Sequence, residues 1–324
     1  MPELRYLRAV NLALADALAA DPSIVVFGED VSEAGGSFGA TRGLRERFGA
    51  ERVFDTPISE AAIAGAAVGA ALSGLRPVIE IMFMDFTTLV MDALVNQAAK
   101  ARFMFGGQRS VPIVLRTPHG GGLGAGPQHS QCLEAWFAHV PGLKVVCPAD
   151  PASAYGLLRA AIADPDPVIV VENKALYAMK AEVPEVLEEV PIGRAATVRP
   201  GRDLTIVSYG AAVHTCTNAA GALAGEGIEA EVIDLRSLQP WDEAAVLASL
   251  QRTHRLVVVH EAVTAFGVGA EVAARMADVG FDELDGPILR VGAPFMPVPF
   301  SRALEDAYVP SADAVVAAAR RVLA

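Results

Sequence analysis

The stretch DTPISEAAIAGAAVGAALSGLRPVIE, residues 55–80, predicts a helix built almost wholly from alanine and glycine, followed by an apolar strand. Ser59 stands at its N-terminal cap and Glu60 in its first turn, and Gly74 and Pro77 end it. Small residues allow another backbone or a ligand to approach the helix closely. On composition alone, the plainer interpretation is an internal packing helix in which the helix dipole favours the negative charge of Glu60.

Strands and helices alternate on both sides of this stretch, which predicts parallel sheets covered by helices. Residues 180–202 are charged and contain prolines, and we interpret them as a connection between two doubly wound α/β domains. In the first half the predicted helices cover 5–20, 86–104, 130–139 and 151–163, and the strands include 23–28, 111–117, 143–147 and 167–173. In the second half the strands cover 204–210, 229–235, 255–261 and 288–292, and the helices include 243–251, 268–277 and 312–323.

Composition excludes several classes of protein. The 324 residues carry a net charge of −12, which disfavours binding to nucleic acids or anionic membranes. The mean hydropathy of +0.37 indicates more buried surface than a monomer uses. Three cysteines without C-x-x-C spacing exclude a disulfide framework and favour a reducing compartment. The first 22 residues lack the apolar core of a signal peptide, so we expect a cytoplasmic protein.

Two glycine-rich motifs suggest other enzymes but lack the required context. Residues 35–39 match G-x-S-x-G, yet an acidic loop separates them from the preceding strand, which disfavours a serine hydrolase. Residues 120–125 match G-x-G-x-x-A, but Pro127 interrupts the helix that a dinucleotide site needs. A mobile substrate loop is the better interpretation. His129 follows this loop, directly before the helix predicted over 130–139, whose dipole disfavours a protonated imidazole, and is an acid–base candidate.

Six motifs occur in this order along the chain: GED (28–30), DTPISE (55–60), GLRPVIE (74–80), NQAAKARFMFGG (96–107), AGPQHSQCLEAWFAHVPGLKVVCP (125–148) and PVPFSRALEDAYVPS (297–311). Together they resemble the beta subunit of the decarboxylating component of 2-oxo acid dehydrogenase complexes. The resemblance covers nearly the whole chain. It implies a transketolase-like protein, with a thiamine-diphosphate pyrimidine-binding domain over residues 1–185 and a transketolase C-terminal-type domain over 186–324.

The same resemblance assigns roles to individual residues. Glu60 matches the carboxyl group that hydrogen-bonds the aminopyrimidine ring of thiamine diphosphate, which promotes loss of a proton from the thiazolium carbon. Phe86 matches an aromatic residue that stacks on the pyrimidine. Glu29 matches an acidic residue near the cofactor. His129 matches a histidine that donates a proton during acyl transfer.

Partners and ions follow from the resemblance as well. The diphosphate and Mg²⁺ belong to a separate alpha subunit, and its Gly-Asp-Gly motif is absent here. The family assembles two alpha and two beta chains and passes the acyl unit to the lipoyl group of a partner acyltransferase. A potassium ion is implied at five positions, of which the last is often Asn in the family: Ile113, Ala161, Ile162, Asp164 and Asp166.

The expected function is therefore that of a beta subunit of a pyruvate or acetoin dehydrogenase, an oxidoreductase active only with an alpha subunit. The segments MFGGQ, ENKALYAMKAEVPE and PVPFSRALEDAYVP favour the acetoin type, whereas QHSQCLEAWFAHVPGLKVV equally resembles the pyruvate type. Two alternatives stay open: a beta-type subunit for another ketoacid or a biosynthetic pathway, and a non-catalytic assembly partner. The presence of both Glu60 and His129 weighs against the second.

Overall fold

Parallel apolar strands form the main sheet of the first half in the computed structural model, which describes residues 1–324. Six of them are hydrogen-bonded in the order β6-β7-β5-β4-β2-β3. Every residue of β2, β5 and β7 is buried, which explains why these strands read as continuous apolar runs. The strands are β1 Glu3–Arg5, β2 Ile24–Gly28, β3 Val53–Asp55, β4 Arg76–Glu80, β5 Val114–His119, β6 Lys144–Val146, β7 Val168–Asn173 and β8 Lys180–Glu182.

The helices of the first half confirm two predicted ranges closely. The small-residue helix covers Glu60–Leu72 and the helix after β6 covers Pro151–Ala163. Ser59 occupies the cap position of the first, but its side chain makes no capping hydrogen bond. The helices are α1 Tyr6–Ala20, α2 Leu44–Phe48, α3 Glu60–Leu72, α4 Ala99–Met104, α5 Glu134–Ala138 and α6 Pro151–Ala163.

The continuous helix predicted over 86–104 is wrong. The structure has a 3₁₀ helix over Met84–Val90, a π-helix over Asp92–Ala98 and only then α4. The Thr87 hydroxyl donates to the carbonyl of Met84, which favours the tighter turn. Asp92 accepts hydrogen bonds from the side chains of Asn96 and Gln97, four and five residues later, which suits the wider turn.

The second half contains a five-stranded sheet in the order β14-β13-β10-β11-β9, in which only β9 runs antiparallel to its neighbour. The terminal helix α11 packs with α7 over the buried face of this sheet. The elements are β9 Ala196–Arg199, β10 Leu204–Ser208, α7 Ala212–Ala224, β11 Ala230–Asp234, β12 Ser237–Gln239, α8 Glu243–Thr253, β13 Leu256–Val263, α9 Val268–Val279, β14 Leu289–Ala293, α10 Arg302–Tyr308 and α11 Ala312–Leu323.

The chain divides into two compact units. The first unit comprises residues 1–119 and 136–192, and the second comprises 120–135 and 193–324. Residues 120–135, which we call the histidine segment, therefore belong with the second unit, although they follow β5 of the first unit and include the first two residues of α5. Both units are α/β, so the predicted fold class is confirmed. No helix has the length and apolar character that a membrane span needs.

Candidate functional site

Two acidic side chains in the first unit lie close together at the carboxyl end of β2. Glu29 follows β2 directly and Glu60 begins α3, and they are only 6% and 9% exposed. The backbone amide of Ser59 donates to the Glu29 carboxylate. Burial raises the pKa of Glu29, and the nearby negative charge of Glu60 raises it further.

One oxygen of Glu29 has no hydrogen-bond partner. This Oε1 atom is buried, and a buried acceptor without a donor costs free energy. A donor group on a bound ligand would remove that cost. The aminopyrimidine of thiamine diphosphate carries such donors, so the two carboxyl groups fit the cofactor that the sequence predicts.

Phe86 belongs to a cluster of aromatic rings in the same unit. Its ring contacts the Phe83 ring edge-to-face, with centroids 5.9 Å apart, and Phe83 makes a similar contact with Phe38 at 5.8 Å. The buried ammonium of Lys174 lies 5.3 Å from the Phe83 centroid. Phe86 itself is half-buried, so its ring is held at an edge while part of its surface can contact a ligand.

A buried ion triad supports this aromatic cluster. The Arg116 guanidinium donates to Glu80 at 2.6 Å and to both oxygens of Glu172 at 2.8 and 2.9 Å. The Tyr177 hydroxyl donates to Glu172 at 2.8 Å, and its ring lies 5.1 Å from that of Phe38. Although burial opposes the charge of Arg116, the two carboxylates raise its pKa. Removing one partner would leave an uncompensated buried charge, so the three side chains hold one another in place. Through Tyr177 they also hold one side of the aromatic cluster.

No member of this triad was assigned a role from the sequence. The signal was present, because Arg116 and Glu172 interrupt apolar strands at positions that are 1% exposed. A charge inside a fully buried parallel strand needs a partner from a neighbouring strand. Strand β5 pairs with both β4 and β7, which supply the two carboxylates.

His129 lies in the histidine segment of the second unit and is half-buried. Its backbone amide donates to the carbonyl of Gly126 at 3.3 Å. The helix predicted to begin at residue 130 begins at Glu134 instead, and the buried Glu134 carboxylate accepts a hydrogen bond from Tyr209, 75 residues away in the sequence. His129 therefore does not stand at a helix N-terminus, so the position predicted for it is wrong.

A mainly apolar cavity of about 440 Å³ adjoins the histidine segment within the second unit. Its lining includes Cys132 of the segment and Phe295, Met296 and Tyr308 from the C-terminal part of the unit. Burial raises the pKa of Tyr308 to about 12. The tyrosine hydroxyl is therefore protonated at neutral pH.

The residues predicted to bind potassium surround the end of α6, and protein cations already contact several of them. The Arg76 guanidinium donates to the carbonyls of Ile162 and Asp164, at distances between 2.6 and 3.0 Å. Lys144 pairs with the Asp164 carboxylate at 2.5 Å. The remaining predicted ligands also have partners: Asp166 pairs with Arg102, the Ile113 carbonyl accepts from Val168, and the Ala161 carbonyl accepts from Asp164.

Two family models together match most of the chain. Residues 3–180 match the family model of the transketolase pyrimidine-binding domain, and residues 193–315 match that of the transketolase C-terminal domain. A solved structure described as a split-gene transketolase, inactive beta4 tetramer, superposes with a TM-score of 0.78 at 26% identity. The superposition covers 98% of this chain and 97% of the transketolase chain.

Similar sequences carry two kinds of name. The chain is 46% identical to the mitochondrial pyruvate dehydrogenase E1 component subunit beta-2 of Oryza sativa subsp. japonica, over 98% of this chain and 86% of the relative. It is 47% identical to the beta subunit of acetoin:2,6-dichlorophenolindophenol oxidoreductase from Bacillus subtilis, over 97% of this chain and 96% of the relative. The resemblance seen in the motifs is confirmed: the chain belongs to the transketolase-like family of pyruvate and acetoin dehydrogenase beta subunits.

Proposed function

We propose that this chain is the beta subunit of a thiamine-diphosphate-dependent dehydrogenase that acts on a 2-oxo acid such as pyruvate, or on acetoin. The reaction is an oxidative decarboxylation or cleavage with transfer of the acyl unit to a lipoyl group. The observation that carries the proposal is the buried pair of Glu29 and Glu60 with its unpartnered oxygen, beside a chain-wide identity of 46 to 47% to such subunits.

Bound thiamine diphosphate supplies a carbon nucleophile and accepts the electrons released from the substrate. Glu60 holds a proton at the ring nitrogen of the aminopyrimidine. Phe86 orients the ring by stacking, and its contact with Phe83 limits its own movement. Glu29, whose pKa is raised, binds the donor groups of the same ring. His129 donates a proton to the lipoyl sulfur during acyl transfer.

The remaining parts of the assembly come from other chains. This chain lacks the Gly-Asp-Gly motif that holds the diphosphate and Mg²⁺, so we assign both to an alpha subunit. We propose a heterotetramer of two alpha and two beta chains that delivers the acyl unit to a lipoyl acyltransferase. The cavity beside the histidine segment is apolar enough to accept the hydrocarbon part of a lipoyl arm.

We expect the purified chain alone to be inactive and the co-expressed alpha–beta complex to turn over substrate. The physical reason is that thiamine diphosphate cannot be held by its pyrimidine alone in a productive position. The measurement compares pyruvate, acetoin and branched-chain oxo acids with an artificial electron acceptor, with and without the alpha subunit. Turnover of any of these substrates by the isolated chain would contradict the proposal.

We also propose that potassium binds at the end of α6, where carbonyl oxygens and the negative end of the helix dipole attract cations. Arg76 already contacts two of the carbonyls, so we expect only a modest rise in the melting temperature, of about 2 to 4 °C. Thermal unfolding of the alpha–beta complex in KCl, compared with choline chloride at equal ionic strength, measures it. Equal melting temperatures in the two salts would contradict potassium binding at the end of α6.

A further inference from the structure

Buried carboxylates hold the histidine segment on the N-terminal side of His129. The Gly121 amide donates to Oε1 of Glu261 in β13 at 2.5 Å, and the Gly124 amide donates to Oε2 of Glu305 in α10 at 2.8 Å. Glu261 is 8% exposed and Glu305 is 1% exposed. Side chains from two different elements of the second unit therefore bind the backbone of one loop.

A second anchor lies on the C-terminal side. The Tyr209 hydroxyl donates to Oε1 of Glu134 at 2.8 Å, and both residues are buried. The Tyr209 ring stacks with the buried ring of His260, with centroids 6.0 Å apart. His260 is adjacent to Glu261 in β13, so one strand takes part in both anchors. In the sequence, His129 lies between the two anchored points, Gly124 and Glu134.

The loop before His129 is rich in glycine. Glycines at positions 120, 122, 124 and 126 adopt positive φ angles, which glycine reaches without strain. A Cβ at Gly126 would overlap the ring of Phe300, and one at Gly121 would lie 3.3 Å from Glu305. A Cβ at either point would be crowded, most of all at Gly126, where φ is also positive, and glycine leaves the free loop with many conformations. Order in the loop has to come from the contacts that hold it.

Glu305 is a buried carboxylate that helps to order this loop. Its Oε1 atom is buried without a hydrogen-bond partner, and the side chain forms no ion pair. A carboxylate that serves only the packing of α10 would be replaced at lower cost by an apolar residue. What Glu305 gains in this position is the charge-assisted hydrogen bond from the loop amide of Gly124.

We propose that Glu305, together with Glu261, is a positioning residue that sets the place of His129 by binding the loop before it. The inference rests on the proposed role of His129 in acyl transfer. Neither carboxylate takes part in proton transfer. Loss of the Gly124 contact frees the loop and lowers the fraction of molecules in which the imidazole can reach the acyl acceptor.

The test uses the complete alpha–beta complex with thiamine diphosphate and a lipoyl domain. Glu305→Ala removes the contact, and Glu305→Gln keeps an oxygen that accepts the same amide. Glu305→Asp keeps the charge but shortens its reach by one methylene. Asp306→Asn is the matched control, because Asp306 is exposed on the same helix. Each variant is measured for lipoyl acylation, for decarboxylation with an artificial acceptor and for hydrogen exchange of residues 120–129.

We expect Glu305→Ala and Glu305→Asp to slow lipoyl acylation by about tenfold or more, since a charge-assisted hydrogen bond is lost or displaced. Decarboxylation should change by less than about threefold, and Glu305→Gln should restore most of the acylation. Hydrogen exchange of residues 120–129 should accelerate in the Ala and Asp variants but not in the control. Accelerated exchange with equal losses in both reactions would overturn the positioning role.

Failure of the inference is distinct from failure of the proposed function. If the wild-type complex turned over no 2-oxo acid or acetoin, the proposed function would fall, while exchange would still report whether Glu305 holds the loop. If residues 120–129 of Glu305→Ala exchanged hydrogen at the wild-type rate, the inference would be overturned even in an active enzyme. Glu305→Asp serves the same purpose should the Ala variant not assemble. Unchanged acylation in a folded variant with a loosened loop overturns it as well.

Discussion

Glu60→Gln should lower turnover of the assembled enzyme by at least about 100-fold, the range for losing an acid–base group. The amide still accepts and donates hydrogen bonds, but it cannot exchange a proton with the pyrimidine ring nitrogen. Shape and burial are preserved at this 9% exposed position. Cofactor binding should therefore weaken much less than turnover. The measurement is steady-state decarboxylation with an artificial acceptor at saturating thiamine diphosphate.

Glu271→Gln supplies the matched control for Glu60→Gln. Glu271 is also an acid in the first turn of a helix, but it is exposed at the start of α9. The same change of charge in the first turn of a helix should leave turnover within about twofold of wild type. If Glu60→Gln behaved like this control, Glu60 would have no part in the chemistry.

His129→Ala should separate the two halves of the reaction. We expect lipoyl acylation to fall by about 100-fold or more, because the proton donor is lost, while decarboxylation with an artificial acceptor falls by less than about fivefold. Cofactor affinity should be unchanged. Single-turnover decarboxylation and lipoyl acylation are to be followed in the same preparation.

His139→Ala is the control for this variant. His139 lies ten residues along the chain and is exposed after α5. It should leave both reactions near wild type. Equal losses in both reactions for His129→Ala would mean that His129 acts earlier, on the substrate or the cofactor, and the acyl-transfer assignment would be wrong.

The sequence predicted the fold well wherever a local pattern also decides packing. The small-residue helix α3 and the terminal helix α11 have the predicted bounds, because periodicity and breakers agree with burial at both. The two failures come from side chains that bind locally or at long range. Asp92 accepts hydrogen bonds from Asn96 and Gln97, which suits a wider turn, and α5 begins at Glu134, whose side chain binds the distant Tyr209.

The candidate site was predicted only in part, for a physical reason. Glu29, Glu60, Phe86 and His129 lie in motifs that resemble a known family, so they could be named before the structure. The groups that hold them come from distant positions. Arg116 and Glu305 each need a partner 36 to 181 residues away in the chain, and no local pattern carries that information. Buried charge in an apolar context was the available signal.

Proton exchange at the thiazolium carbon of thiamine diphosphate tests the central claim most directly. It is followed by quenched-flow deuterium exchange in three samples: the alpha subunit alone, alpha with this chain, and alpha with its Glu60→Gln variant. The account predicts fast exchange only with the wild-type chain, and exchange slower by at least about 100-fold in the other two. Fast exchange in the Glu60→Gln complex, or in the alpha subunit alone, would contradict the account.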